Sequence, residues 1–292
     1  MKPAVVLMAY GSPSQPDEIR PYLEDIREGR PVSDAAVEEL TERYRRIGGR
    51  SPLDEATEAQ RAALERELGL PVFVGMKHWR PRIVEAVDGA LVGGADTIVG
   101  LVLAPHYSKL SIDGYRERLE GALDGRAELR FVESWHDHEP YLDVLAARVR
   151  GTDAHVVFTA HSLPARILAE GDPYKDQLLE TSQLIADRAQ LESWSFAFQS
   201  ESRTGEPWLG PDILEELDRL AAAGTSRVLA CPIGFVSDHL EILWDLDVEA
   251  RERAAELGLE FDRIESLNDD PAFVRGLVEL VRQTLSVPST AA

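Results

Sequence analysis

Short apolar runs alternating with longer amphipathic stretches constrain this chain's fold more than any other feature. The runs are AVVLMAY (4–10), VFVGMKH (72–78), TIVGLVLA (97–104), LRFVESW (129–135), HVVFTAH (155–161), SWSFAFQ (193–199), RVLACPIGF (227–235) and EFDRIES (260–266). They are rich in Val, Ile, Leu and Phe and nearly continuous, as parallel strands covered on both faces must be. Stretches between them, such as RIVEAVDGALV, PYKDQLLETSQLIADRA and GPDILEELDRLAAA, repeat their apolar residues with a helical period. The pattern predicts an α/β fold with parallel sheets.

Eight strands could close into one (β/α)8 barrel. Two features argue for another arrangement. The link from residue 11 to 70 is too long for one crossover and holds about three helices by pattern. The chain also repeats in halves. VVLMAYGSP (5–13) opens the first and VVFTAHSLP (156–164) the second, each an apolar strand ending in Ala, a ring residue and a turn with Pro. The third strands correspond too, as VLAPHYS (102–108) and VLACPIG (228–234). The expectation is therefore two doubly wound, Rossmann-like domains with four-stranded parallel sheets facing a central cleft. We place the first at 1–149, the second at 150–267, and a final helix in 268–292 packing back on the first. The tail SVPSTAA is expected to fray.

Charge excludes some function classes. Lys and Arg number 31 against 52 Asp and Glu, a formal net charge of -21. Such a field repels nucleic acid and anionic membrane, so an anionic ligand needs a local basic pocket. The single cysteine, Cys231, rules out a disulfide within the chain and a cluster held by four of its own cysteines. It reads as a small buried hydrophobe in a protein of a reducing, cytoplasmic compartment. The opening MKPAVVLMAYG is too short an apolar run for a signal peptide or membrane span, and no run of about 18 apolar residues follows.

Ligands of open α/β sheets bind beyond the carboxyl ends of the strands. Tyr10, His78, His106, His161 and the turn before Glu241 are all expected there. An unperturbed imidazole titrates near neutrality, so His161 suits proton transfer or metal binding, with a hydrogen-bonded structural histidine as the alternative. Glu241, Asp245 and Glu249 recur every fourth residue and should line one helix face, although like charges so spaced repel. Asp238 and Glu241 match a capping box, which explains Glu241 without any function. It leaves Asp245 and Glu249 unexplained: either they carry a divalent cation, whose hard character suits oxygen ligands, or they form a solvated acidic face.

Seven arginines between Arg20 and Arg50 suit bidentate contact with carboxylates, though interleaved acids also fit an ordinary charged surface. The GGRSP turn (48–52) could turn backbone N–H groups and Ser51 towards an anion. HDH at 136–138 has the residues of a metal pair without a specific spacing, and His155 reads as structural. The tryptophans, Trp244 beside the acidic ladder included, read as packing. The chain has no GxGxxG, Walker A, GxSxG or CxxC signature.

Taken together and in order, MAYGSP, RYRRIGGRSPL, AHSLP, GDPY…WLGPD and SDHLEILWDLD-EA resemble the ferrochelatases over essentially the whole chain. GMKHWRP, APHYSKLSIDGY, VESW and the Tyr10 strand end are most similar to the coproporphyrin III ferrochelatases of the Gram-positive type haem pathway. The resemblance implies insertion of Fe(II), as substrate, into coproporphyrin III to give coproheme. It carries the catalytic pair onto His161 and Glu241, on opposite walls of the cleft. The outer acidic ladder falls on Asp245 and Glu249, and the axial contact to iron on Tyr10. Porphyrin contacts fall on Arg27, Arg43, Tyr44, Ser51, His78 and Tyr115. Crowding of the carboxylates should raise the pKa of one member, and a neutral His161 would accept a proton or bind iron.

The chain departs from the family in three respects. It cannot hold the cysteine-bound iron–sulfur cluster of some members. HDHEP stands where similar sequences have a shorter acidic turn, and the C-terminal extension of membrane-associated forms is missing. The expectation is a cytoplasmic monomer with no prosthetic group and no stable membrane insertion. Alternatives are a protoporphyrin IX ferrochelatase, a chelatase for cobalt or nickel with another tetrapyrrole, a non-catalytic haem or porphyrin carrier and, more distantly, a two-lobed sugar-binding protein.

Overall fold

A computed structural model describes residues 1–202 and 205–287, so the last five residues of the SVPSTAA tail lie outside the described part. The strands are β1 (Pro3–Ala9), β2 (Val72–Met76), β3 (Thr97–Val102), β4 (Glu128–Val132), β5 (His155–His161), β6 (Trp194–Gln199), β7 (Arg227–Cys231) and β8 (Glu260–Arg263). They form two separate parallel sheets, ordered β2-β1-β3-β4 and β6-β5-β7-β8. Substituting β5 to β8 for β1 to β4 converts one order into the other, so the repeat in halves is a repeat of topology, and the barrel alternative is excluded.

The first three helices, α1 (Ile19–Ile26), α2 (Asp34–Arg46) and α3 (Leu53–Leu68), fill the long β1–β2 link. Then come α4 (Ile83–Val92), α5 (Gly114–Leu123), α6 (Glu139–Val149), α7 (Tyr174–Ala189), α8 (Ile213–Ala222), α9 (Arg251–Leu257) and α10 (Pro271–Ser286). In both halves the third strand is followed by π-helix, Lys109–Asp113 running into α5 and Ile242–Ala250 running into α9. Several strands stop short of the apolar runs that announced them. β7 ends at Cys231 because Pro232 has no N–H to continue the ladder.

Contacts divide the chain into two compact units. The first comprises Met1–Ala104, Lys109–Trp135 and the chain from Leu267 on; the second comprises Pro105–Ser108 and His136–Ser266. The division thus falls before α6, where the sequence suggested 149/150. The reason is packing: α6 buries Tyr141, Leu142, Leu145 and Val149 and lies against α7 and β7 of the second unit. Tyr141 adds a hydrogen bond from its hydroxyl to the Ile233 carbonyl, 2.6 Å.

Strands β1, β3 and β5 are heavily enclosed, with Val5 to Met8, Ile98 and Val99, and Val156 to Phe158 fully buried. Each such side chain contributes about 1.5–3 kcal/mol of transfer free energy. In the first unit α10 packs on α3, β3 and β4. Pro271 and the Asp270 carboxylate, which accepts from the Ala272 N–H at 2.8 Å, start this helix. Its Phe273 lies 6.0 Å from the ring of Trp135. Cys231 is fully buried and burial pushes its thiol pKa up, so it behaves as a small hydrophobe.

Candidate active site

In the second unit strand order reverses between β5 and β7, the place where open α/β sheets take ligands. β5 ends on His161, and the loop after β7 leads to Glu241. That loop lies directly on the end of β5. The Gly234 N–H donates to the Thr159 carbonyl at 3.1 Å, and a Cβ on Gly234 would stand 2.6 Å from Ala160 Cβ. Only glycine permits the approach.

His161 Nε2 lies 3.6 Å from Glu241 Oε1, and His239 Nε2 lies 3.5 Å from Glu241 Oε2. One carboxylate therefore serves two imidazoles. His161 Nδ1 donates to the Ser162 carbonyl and His239 Nδ1 to the Ser237 carbonyl, which turns both Nε2 atoms to the carboxylate. His161 and Glu241 are thus neighbours within one unit, a correction to the expectation of opposite walls. Nor does the capping box explain Glu241, whose carboxylate is taken by the imidazoles. Asp238 accepts from Ser266 Oγ at 2.7 Å and pairs with Arg263 at 3.1 Å.

Burial alone would lower the pKa of His161. The charge and hydrogen bond of Glu241, the Ser162 carbonyl and Asp245 outweigh it and hold the imidazole at about 9. Burial alone would raise that of Glu241, but the two imidazoles hold it well below the usual carboxylate range. The two shifts favour imidazolium and carboxylate together in the pair.

Asp245 turns inwards. It is 5% exposed, and its Oδ2 accepts from Gln199 Nε2 at 3.3 Å and from Ser200 Oγ. Burial first, then the charges of Glu241 and Glu249, push its pKa up to about 7. One carboxyl of the ladder is therefore poised near neutrality as expected, with desolvation ahead of crowding as the cause. Glu249 is half-buried and its charge is felt by Asp245 and Asp212. The ladder runs along π-helix rather than the α-helix predicted, a rare geometry that collects at functional sites. Among the described residues no group of three or more His, Cys, Asp or Glu side chains is arranged to hold an ion.

The turn bearing His161 is framed by the other quoted motifs. Tyr174 donates from its hydroxyl to the His161 carbonyl at 2.9 Å, and Ser162 Oγ to the Leu209 carbonyl at 2.7 Å. His106, expected at a strand end near the site, is instead fully enclosed beside Thr181, 3.0 Å away, with its pKa well lowered by burial. His136 bonds Glu180 at 3.0 Å, and His138 precedes α6.

The first unit carries a second constellation at the equivalent point, beyond β1 and β2. Tyr10 follows β1, is 43% exposed, and lies 4.7 Å from the His78 ring at 50°. The backbone holds the two together, the His78 N–H donating to the Tyr10 carbonyl at 2.9 Å. Gly11 (φ +95°) lets the next residue pass under Trp79, whose Cβ a side chain at Gly11 would meet at 2.9 Å. Tyr22 donates to the Gly11 carbonyl at 3.0 Å, and the Tyr44 and Ser12 hydroxyls bond at 2.9 Å. Tyr115 is buried below the Lys77 ammonium, 4.8 Å from its ring centre. Burial brings the Lys77 pKa down to about 8. Tyr10, His78, Tyr44 and Tyr115 are thus tied to adjoining turns. Ser51 is buried and accepts from the Leu53 N–H at 3.2 Å, so its hydroxyl starts α3. Arg43 pairs with Glu39 at 2.9 Å, while Arg27 is exposed at the end of α1.

Sequence reasoning missed His239, Gln199, Ser200 and Asp25. Gln199 closes β6, so the strand-end rule could have found it. His239 sits inside the quoted SDHLE stretch, but nothing in its spacing separates it from an ordinary turn residue. Asp25 lies on a helix with no local signal.

Comparison with known proteins follows the same lines. A family profile described as Ferrochelatase matches residues 2–285. The "Ferrochelatase" of Herpetosiphon aurantiacus is 44% identical, over 94% of this chain and 96% of its own. The "Coproporphyrin III ferrochelatase" of Halalkalibacterium halodurans is 38% identical, over 98% of both chains. Among solved structures, "SirB from Bacillus subtilis with Fe3+" superposes with a TM-score of 0.66 over 98% of this chain and 96% of its own, at 12% identity. That likeness is one of fold.

Proposed function

The chain belongs to the ferrochelatase family and is a metal-inserting lyase acting on iron and a porphyrin; we propose that the porphyrin is coproporphyrin III and the product coproheme. The observation that carries the reading is the His161–Glu241 pair at the point where the strand order reverses. Support for coproporphyrin comes from the relatives named for that substrate and from Tyr10, directly after β1.

Insertion exchanges a divalent cation for two pyrrole protons, so the site must take up protons beside an incoming positive charge. The resting His161 already holds a proton against Glu241. A cation drawn to Glu241 disfavours the imidazolium by like-charge repulsion, so His161 releases its proton and becomes the acceptor for a pyrrole proton. Asp245, half-ionised near neutrality, takes up and passes on protons, and Glu249 continues the track outwards.

In the first unit Tyr10 supplies the axial contact to product iron and His78 backs it. Arg27, Arg43, Tyr44, Ser51 and Tyr115 take the porphyrin and its carboxylates. The reading extends to a cytoplasmic monomer that consumes iron as substrate and needs no prosthetic group or iron–sulfur cluster. No described helix is long and apolar enough to cross a membrane.

The test is an anaerobic assay of purified protein with ferrous iron and either coproporphyrin III or protoporphyrin IX, followed by loss of porphyrin fluorescence and the Soret shift. Faster metallation of coproporphyrin III supports the proposal. Preference for protoporphyrin IX keeps the family activity and overturns the substrate. Binding without metallation would indicate a carrier.

A further inference from the structure

The first-unit constellation contains a carboxylate that no part of the proposed reaction uses. Asp25 lies in the last turn of α1, 22% exposed at its side chain. Its Oδ2 is 3.2 Å from His78 Nδ1, and its Oδ1 accepts from Arg82 Nη2 at 2.8 Å. His78 is itself buried. An imidazole whose Nδ1 faces a carboxylate carries a hydrogen there, so the contact sets the plane of the ring. Arg82 neutralises the partly buried carboxylate and fixes its second oxygen.

We propose that Asp25 is a positioning residue: with Arg82 as counter-ion it fixes the plane of His78, and through that ring the seat of the Tyr10 phenol. The geometry is directional. His78 is held from behind by Asp25, from its backbone by the Tyr10 carbonyl, and meets the Tyr10 ring at 4.7 Å. Tyr10 is half-exposed, and the His78 ring is one of the surfaces its phenol meets. The same carboxylate ties the end of α1, where Arg27 stands, to the start of α4 after Arg82. An outer carboxylate orienting a histidine commonly accounts for 10–100-fold in ligand affinity or activity. This inference rests on the proposed role of Tyr10 as the axial contact to product iron.

The test is a double-mutant cycle of Asp25→Ala and His78→Ala, with thermal unfolding measured on all four proteins. Two readouts are taken: the charge-transfer absorption of ferric coproheme added to the protein, which reports phenolate ligation, and steady-state metallation of coproporphyrin III. Asp25→Ala alone should shift or abolish the charge-transfer band and lower kcat about tenfold with KM for porphyrin within about twofold. In the His78→Ala background the same substitution should change kcat by less than about twofold, because its route of action is gone. Asp25→Glu should restore part of the band. An unchanged band and rate in Asp25→Ala, or an equal loss in both backgrounds, overturns the proposal. If Asp25→Ala does not fold, Asp25→Asn, of nearly equal volume, carries the same cycle. Wild-type protein that fails to metallate coproporphyrin III defeats the parent reading, whereas the ferric coproheme spectrum still decides on Asp25. A Tyr10→Phe variant with a wild-type spectrum removes the premise and the proposal with it.

Discussion

Gly234→Ala isolates the contact that brings the loop after β7 onto the end of β5. The added methyl would lie 2.6 Å from Ala160 Cβ and 2.9 Å from Ala160 Cα, and neither neighbour is the end of a flexible side chain. Ordinary contact between carbons needs roughly 0.8 Å more than the shorter of these distances. Ala160 precedes His161, and the displaced loop leads into Glu241. A parting of that size takes the 3.6 Å separation of Nε2 and Oε1 to about 4.4 Å, beyond effective pairing. Misplacement on this scale costs up to about 100-fold in rate. Overpacking adds about 1–3 kcal/mol of destabilisation, and each kcal/mol lowers Tm by about 2–4 °C in a domain of this size. The assay is kcat/KM for iron insertion beside a thermal scan. Gly121→Ala serves as control, since a Cβ there meets nothing within 4 Å, and as a helix substitution it should stabilise by up to about 1 kcal/mol. A Gly234→Ala enzyme of wild-type rate and Tm would refute the close approach. A lowered Tm with an unchanged rate would refute its link to the pair.

Other expectations follow from the same geometry. His161→Ala should reduce metallation at least about 100-fold while porphyrin binding, read by fluorescence, stays within about twofold; retained turnover would remove His161 from the reaction. Asp245 has a folded pKa of about 7, above its unfolded value, so its contribution to stability is present in acid and lost as pH rises towards neutrality. Asp245→Asn should therefore gain stability relative to wild type between about pH 4 and pH 8, and a pH-independent Tm difference would contradict the shift. Arg43→Ala should raise KM for coproporphyrin III about tenfold with little change in kcat, the effect of one lost charge-assisted hydrogen bond; an unchanged KM would exclude Arg43 from the porphyrin contacts.

The sheets were legible because burial on both faces writes each strand as an unbroken apolar run, and the repeat was legible because AYGSP and AHSLP sit at equivalent strand ends. Element ends were less so. Strand β7 stops at Pro232, and α6 joins the second unit through Tyr141 and Leu145, contacts distant in sequence that no local pattern announces. At the site, His161 and Glu241 were visible as a strand-end residue and the first step of a periodic ladder. Their pairing was not, because it depends on Gly234 meeting Ala160. Helical period alone could not distinguish π- from α-winding either, since i and i+4 share a face in both, so the inward turn of Asp245 towards Gln199 and Ser200 was hidden.

The repeated topology explains why two such different constellations occur at equivalent places. Each sheet reverses its strand order between its first and third strands, each first strand ends in or is followed by a ring residue, and each third strand leads into π-helix. The scaffold thus offers the same two positions twice. In the first unit Tyr10 meets a neutral His78 whose charge is suppressed by burial and Lys77. In the second, His161 meets Glu241 and is held protonated. Two histidines, both substantially enclosed, are pushed in opposite directions: burial and then Lys77 lower His78 despite the Asp25 carboxylate, whereas Glu241 and Asp245 outweigh burial at His161. In the proposed reaction, Lys77 beside the first ring suits a seat for an anionic porphyrin, and Glu241 beside the second suits one that draws in iron and moves protons. An acidic ladder just after a buried strand is what the second role requires, and its repulsion is limited because Asp245 can hold a proton near neutral pH.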